Sequence, residues 1–399
     1  MKVFVIAGEA SGDLHGAGLI HALKSKLPQT KFTGIGGPKM EEAGLELLLP
    51  SSDLAVVGVA EIIGHIRPIL KAFRRTTAWL RKERPDLLVL IDYPEFNLQV
   101  AARAKKLEIP IFYYISPQVW AWRQGRVKKL RRLVDRMAVI LPFEETFFRS
   151  HGMEVSFVGH PLLDVVRAES SGTEFCKKTG INAERPIVGL VPGSRKSEIS
   201  RLFPVMAEAA GRVFQDRPDV QFVLPLAPSL DSQILESFNC SIEISIVTEA
   251  DRQSLTDKSP NYPIIRVVKG QTYDAIAASD LILAASGTVT LEAAILGTPM
   301  IVTYRVSPFT CFIGKCLIKV PFASLVNLVA ERKVVPEIIQ RDVTPERLSH
   351  EVLSLLKDDT GRENMTADLK AVKDALGTSG AAARAADLAI EIISGMTAA

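Results

Sequence analysis

Short apolar runs alternate with amphipathic stretches along almost the whole chain. In the first half the runs are Lys2 to Ala7, Lys31 to Ile35, Leu87 to Ile91, Pro110 to Ile115, Arg136 to Ile140 and Val155 to Val158. Between them, segments such as Leu14 to Leu27, Pro68 to Lys82 and Asn97 to Leu107 carry apolar residues three and four apart. A continuous apolar run is the pattern of a strand covered on both faces, and the intervening period is that of a crossover helix. The second half repeats the alternation with Ile187 to Val191, Val220 to Leu224, Ile264 to Val267, Asp280 to Leu283 and Met300 to Val302. An α/β architecture built on parallel sheets is predicted. The polar stretch from Asp164 to Glu184 is the best linker candidate, and Thr344 to Ala399 reads as two or three helices.

Length and composition sharpen this picture. A chain of 399 residues exceeds the size at which one core stops growing, so two doubly wound, Rossmann-like domains facing a central cleft are expected. Their predicted bounds are residues 1–165 and 166–343, with 344–399 as C-terminal helices that pack back on the first domain. Hydrophobic content of 47% with 23% charged residues excludes a disordered chain. The opening MKVFVIAGEASGD reads as a first buried strand, since its apolar stretch is too brief for a secretory signal. Phe309 to Val326 is interrupted by Lys315 and Lys319, so no membrane span is expected. Cys176, Cys240, Cys311 and Cys316 form no CxxC and read as free thiols of a reducing cytoplasm. Net charge is only +3, yet Arg123, Arg126, Lys128, Lys129, Arg131, Arg132 and Arg136 crowd one segment against Asp135. No nucleic-acid motif follows, so an anionic lipid surface or a phosphorylated substrate suits this basic face better than DNA or RNA.

Two turns between an apolar run and a helical pattern carry candidate anion chemistry. Leu190 to Ile199 reads LVPGSRKSEI: Gly193 permits close approach, Ser194 can cap, and Arg195 offers a planar fork for phosphate. Ala284 to Ala294 reads AASGTVTLEAA, in which Ser286, Gly287 and Thr288 open a helix whose amides can meet phosphate. Glu292, about one turn on, is either a solvated helical residue or an acceptor for two ribose hydroxyls.

In the first half, GEASGDLHG from Gly8 to Gly16 lacks both GxGxxG and GKS spacing, which argues against dinucleotide and P-loop readings. Asp13 reads as a cap for the helix that begins there, while Glu9 has no such explanation. Asp92 follows the run Leu87 to Ile91, where catalytic groups of parallel sheets sit; it is either a general base or a helix cap. SPQVWAWR ends in Arg123 and holds Trp120 and Trp122, aromatics that suit a sugar face, a lipid interface or a core. Ile62 and Ile63, followed by Arg67, Lys71, Arg74 and Arg75, form an apolar patch with a basic rim, the layout of a peripheral membrane contact or of a buried helix. The histidines make no metal pair.

Taken in order, these loops resemble those of the lipid-A-disaccharide synthase family of inverting GT-B glycosyltransferases. The motifs are GEASGD at Gly8 to Asp13, DYPEFN at Asp92 to Asn97, SPQVWAWR at Ser116 to Arg123 and LPFE at Leu141 to Glu144. They continue with GHPLLD at Gly159 to Asp164, PGSRKSEI at Pro192 to Ile199, SGTVTLEA at Ser286 to Ala293 and SLVNLVA at Ser324 to Ala330. The resemblance implies transfer of 2,3-diacylglucosamine from its UDP donor to the 6-hydroxyl of 2,3-diacylglucosamine 1-phosphate, giving a β-1,6-linked disaccharide 1-phosphate and UDP. On this reading the first domain faces acceptor and membrane, with Asp92 or Glu9 as base and Trp120, Trp122 and Arg123 near the acceptor. The second binds UDP: Gly193, Ser194, Arg195 and the amides from Ser286 to Thr288 hold phosphate, Glu292 holds ribose, and Asn327 touches the diphosphate. No metal and no cofactor are expected. The implied location is cytoplasmic, peripheral on the inner face of the inner membrane, with a homodimer as one candidate state. The alternatives are another UDP-sugar GT-B enzyme with a soluble acceptor and a non-catalytic peripheral nucleotide-binding protein.

Overall fold

The computed structural model describes residues 1–53, 62–228, 230–238, 242–247, 263–307 and 320–397. It divides into two units, Met1–Asp164 with Leu376–Ala399, and Val165–Ala375.

The first unit contains β1 (Lys2–Ala7), β2 (Lys31–Gly36), β3 (Leu45–Pro50), β4 (Leu87–Ile91), β5 (Ile111–Tyr114), β6 (Arg136–Val139) and β7 (Ser156–Phe157). All pair in parallel, in the order β3-β2-β1-β4-β5-β6-β7. Every residue of β4 and β5 is buried, because helices cover both faces of the sheet. Phe4, Ile6, Leu88, Leu90, Tyr113 and Phe148 belong to the core of this unit.

The second unit contains β8 (Ile187–Val191), β9 (Gln221–Leu226), β10 (Glu243–Ile246), β11 (Ile264–Lys269), β12 (Leu281–Ala285), β13 (Met300–Tyr304) and β14 (Glu337–Ile339). They form an all-parallel sheet in the order β10-β11-β9-β8-β12-β13-β14. Each sheet reverses its winding once beside its first strand, between β1 and β4 and between β8 and β12. That reversal leaves a crevice outside the carboxyl ends of the two flanking strands, where ligands of such sheets bind.

The apolar runs locate the central strands and miss β3, β10 and β14. All three are sheet edges, where one flank is open and the burial that writes the pattern is incomplete. No residue of β10 is buried, and only Ile338 of β14 is. The linker predicted at Asp164 to Glu184 is shorter in the structure. A helix over Gly172–Thr179, capped by the Ser171 hydroxyl on the Glu174 amide, buries Phe175 and Cys176 within the second unit. The segment 344–399 is divided between the units. Helices Pro345–Lys357 and Asp359–Ala375 belong to the second, whereas Ala381–Thr397 packs on the helix Ala10–Lys26 of the first, where Lys26 pairs with Asp387 at 2.6 Å. Among the described residues no helix is long and apolar enough to cross a membrane.

Candidate active site and donor-binding loops

In the first unit Glu9 leaves β1 and Asp92 leaves β4, so the two carboxylates flank the reversal point. Asp92 and Tyr93 both take left-handed backbone, with φ of 43° each, and so does Ile115 at the end of β5, with φ of 64°. Such a conformation costs about 1–3 kcal/mol for a non-glycine residue, and most for a β-branched one like Ile115. The surroundings hold it in place. The Asp92 carbonyl accepts from Asn97 Nδ2 at 2.7 Å and from the Tyr113 hydroxyl, and the Asp92 amide donates to Ile115 O at 3.3 Å. Gly8 must lack a side chain, because a Cβ there would lie 2.5 Å from the Tyr93 ring.

This environment controls the Asp92 carboxyl. Burial first, then the neighbouring Glu9 charge and more weakly Glu144, push its pKa up to about 7 against one lowering hydrogen bond from the Tyr93 backbone. A carboxyl pushed up toward neutrality has the proton affinity that suits a general base. The cap of the following helix, Pro94–Lys105, is Tyr93, so the reading of Asp92 as that cap is corrected. Asp13 also differs from expectation. It lies inside the first helix, and its carboxylate accepts from the Gly37, Lys39 and Met40 amides at 2.7, 3.1 and 3.0 Å, capping a different helix, Pro38–Glu42.

The tryptophan loop separates into two roles. Trp120 is buried, donates its Nε1 to Glu144 Oε1 at 3.0 Å and sits edge-on to Phe143, so it packs as a core residue, which corrects the expectation of an acceptor contact. Trp122 is exposed, with the Arg123 guanidinium stacked 4.1 Å over its ring. Glu144 is the hub of this loop: it also accepts from the Ser116 hydroxyl and from the Ile140 and Leu141 amides at 3.1 and 2.9 Å. The side chains of Ile62 and Ile63 lie outside the described residues. Further along the same helix Leu70 is exposed among Arg67, Lys71, Arg74 and Arg75.

In the second unit the two strand-to-helix turns flank the other reversal point. Gly193 has φ of +115°, and a Cβ there would lie 2.3 Å from the Glu198 carboxylate. That carboxylate accepts from the Ser194 and Arg195 amides at 3.0 and 3.2 Å, so Glu198 caps the helix Lys196–Asp216 in place of Ser194. The turn amides are therefore already filled by Glu198, and the cation of this turn is Arg195, its Nη1 4.0 Å from Glu198 Oε1 and its side chain largely exposed. At the other turn the Ser286 amide donates to Thr303 O at 2.8 Å and its hydroxyl to Ala323 O at 2.7 Å, which removes both donors from the expected phosphate set. The Gly287 and Thr288 amides make no backbone hydrogen bond among the described residues, as befits the start of the helix Val289–Leu296.

Glu292 lies in that helix's first turns. Burial pushes its carboxyl up to about 7, and no hydrogen bond or ion pair reaches that carboxylate from the described residues. Tyr273, on the neighbouring helix Thr272–Ala277, is pushed up to about 12 by burial and by the Glu292 charge. Asn327 is corrected. Its Nδ2 donates to Val335 O and Glu337 Oε1 at 3.0 and 2.9 Å, and its Oδ1 accepts from the Val334 and Val335 amides at 2.8 and 3.0 Å. All four hydrogen-bonding positions of this fully buried amide are filled within its own segment, so it has none to offer a diphosphate. Among the described residues no group of three or more His, Cys, Asp or Glu could hold a metal ion.

The lipid-A-disaccharide synthetase family matches residues 3–392. The lipid-A-disaccharide synthase of Syntrophus aciditrophicus is 46% identical over 391 residues, covering 98% of this chain and 97% of the relative. That of Geobacter sulfurreducens is 44% identical over 392 residues, with 98% and 97% covered. This chain belongs to the lipid-A-disaccharide synthase family. Membership makes the chain a glycosyltransferase of lipid A biosynthesis. Its fold is that of the GT-B glycosyltransferases. UDP-GlcNAc 2-epimerase from Neisseria meningitidis, solved bound to UDP-GlcNAc, superposes with a TM-score of 0.62 at 12% identity, covering 99% of this chain and 100% of the other. MurG from Acinetobacter baumannii gives 0.58 at 15% identity, with 98% and 99% covered. In this chain, Asn97, Tyr113, Glu144, Glu198 and Tyr273 are structural residues of the two sites to which the sequence pattern assigned no role. Glu144 and Glu198 had a legible signal: each is the third residue of a helix that opens on a turn, the place of a capping carboxylate.

Proposed function

We propose that Asp92 is the general base of an inverting single displacement. The 6-hydroxyl oxygen of 2,3-diacylglucosamine 1-phosphate bonds to the anomeric carbon of UDP-2,3-diacylglucosamine as the bond from that carbon to the diphosphate breaks. Asp92 takes the hydroxyl proton, and UDP leaves with the electron pair. One observation carries this reading: a strained, half-buried carboxylate held near neutrality at the reversal point of the first sheet. Glu9 assists by keeping that carboxyl basic. In the second unit, Arg195 with the Gly287 and Thr288 amides stabilises the departing diphosphate, and Glu292 accepts from the ribose hydroxyls. No lone pair of Glu292 has a competing donor among the described residues.

The acyl chains bring the reaction to a membrane surface. Drawing one chain of about a dozen methylenes into water costs on the order of 10 kcal/mol at ~0.8 kcal/mol per methylene. The helix that exposes Leu70 among four cations, beginning at Ile62 and Ile63, is the surface that docks there. Ile62→Ser with Ile63→Ser should weaken vesicle flotation; flotation equal to the parent would remove the docking proposal.

The reaction itself is tested by UDP release and disaccharide formation from the two acylated substrates in mixed micelles, with UDP-N-acetylglucosamine as control donor. Product from the acylated donor alone is expected. Turnover confined to the control would move the chain to soluble-acceptor chemistry.

A further inference from the structure

We propose that Arg123 and Arg126 form a clamp for the phosphomonoester of the acceptor, and that Glu95 occupies this clamp until the acceptor arrives; the assignment rests on the transferase reading above. Arg123 Nη1 lies 2.7 Å from Glu95 Oε1, and Arg126 Nη1 lies 2.5 Å from Glu95 Oε2. Two guanidiniums thus share one carboxylate, leaving a net positive charge and most of their N–H donors for another anion. Glu95 stands three residues beyond Asp92, in the first turn of the helix Pro94–Lys105. The Tyr113 hydroxyl, which donates to the Asp92 carbonyl, feels the charges of Asp92, Glu95 and Arg126 together, so clamp and base lie about one hydroxyl. Trp122 gives the clamp an apolar wall, because Arg123 stacks on its ring.

The chemistry matches a sugar phosphate. A phosphomonoester carries more negative charge than a carboxylate and a third acceptor oxygen, and arginine forks bind it bidentately. Glu95 is easily displaced, since its side chain is 53% exposed and an exposed ion pair contributes little. The spare cations Lys128, Lys129, Arg131 and Arg132 are exposed on the next helix, Val127–Leu133, and face the same charge class, a bilayer headgroup included. The test must therefore separate an acceptor phosphate from a headgroup phosphate.

The experiment measures acceptor KM for the parent, R123A, R126A, R126K and E95Q in nonionic micelles, using 2,3-diacylglucosamine 1-phosphate and the same lipid without its phosphate. R126A and R123A should raise KM for the phosphorylated acceptor roughly 10- to 100-fold, with R126K between, and leave donor KM and the dephosphorylated acceptor unchanged. E95Q should move KM the other way, lowering it about two- to fivefold. A merely structural bridge predicts that E95Q and R126A harm the enzyme alike; that result would overturn the clamp. So would arginine variants that lose flotation on phosphatidylglycerol vesicles but keep the parent acceptor KM, because the clamp would then read a headgroup. A parent protein that forms no disaccharide would overturn the transferase reading and the clamp with it, whereas an active parent with unmoved variants overturns the clamp alone.

Discussion

The two units share a strand order and differ in what they place at its reversal point. At the first, Glu9 and Asp92 bring like charges together, which raises the affinity of the Asp92 carboxyl for a proton. At the second, Arg195 sits beside Glu198, whose carboxylate is taken up by the turn amides, the Gly287 and Thr288 amides make no backbone hydrogen bond among the described residues, and Glu292 sits a helical turn further on. On the proposed reading, one crevice takes a proton from an alcohol and the other holds a diphosphate. The same topology thus serves opposite electrostatic tasks, and strand-end residues rather than the sheet decide which.

The largest expected effect falls on the first site. Asp92→Ala should lower kcat by ~10²–10⁴-fold, the range for a lost general base, while UDP affinity stays at the parent value. Loss of UDP affinity together with kcat would mean that the carboxylate shapes the donor site instead. Arg195→Ala should do the reverse, weakening UDP by about 10- to 100-fold in calorimetry, as for one charge-assisted hydrogen bond of ~1.5–3 kcal/mol.

A pH series sharpens the second site. On the proposed reading Glu292 accepts ribose hydroxyls in its ionised form, and burial sets its pKa at about 7, so UDP affinity should fall as pH drops through 7. Binding should release protons at pH 6.5 to 7. Glu292→Gln should remove that proton release; if it persists in the variant, another group titrates. Stability gives a smaller effect of calculable sign. Asp92 is near 7 in the folded chain against an ordinary 3.8, so the folded state holds a proton that the unfolded state has lost over that interval. That contribution is complete below about pH 4 and disappears as pH rises to 7; above 7 the ionised carboxylate destabilises the fold. Asp92→Asn should therefore raise stability at pH 8 by about 1–3 kcal/mol, after discounting the roughly 1.4 kcal/mol per pH unit for partial exposure, and change it little at pH 4. Equal urea midpoints at pH 8 would contradict the buried-charge account. Asn327→Ala should lower the melting temperature, since the Val334 and Val335 amides would lose a buried acceptor at about 1–3 kcal/mol each, and alter UDP affinity only through that loss.

Much of the first-order geometry was legible because parallel strands buried on both faces write themselves as unbroken apolar runs. Edge strands such as β10 do not, since neither face nor flank is fully covered. At the sites, the turns that carry Asp92, Arg195 and Glu292 could be read from their place after such runs. What could not be read was which polar atoms the fold uses for itself. Trp120, Asn327 and the Ser286 donors look like ligand contacts in a one-dimensional sequence, yet Glu144, Val334 with Val335, and Thr303 with Ala323 satisfy them. Their partners lie many residues away or on other strands, and no spacing rule records them. The strain at Asp92, Tyr93 and Ile115 is similarly invisible, because it is imposed by Asn97 and Tyr113 rather than by the local sequence.

The claim that the first crevice houses the base is tested most directly by single-turnover rates of disaccharide formation against pH, for the parent and Asp92→Asn with saturating substrates. The account predicts a parent rate that rises with unit slope and levels off near pH 7, and a variant at least about 100-fold slower with no such limb. A variant within a few fold of the parent, or one that keeps the limb, would place the base elsewhere.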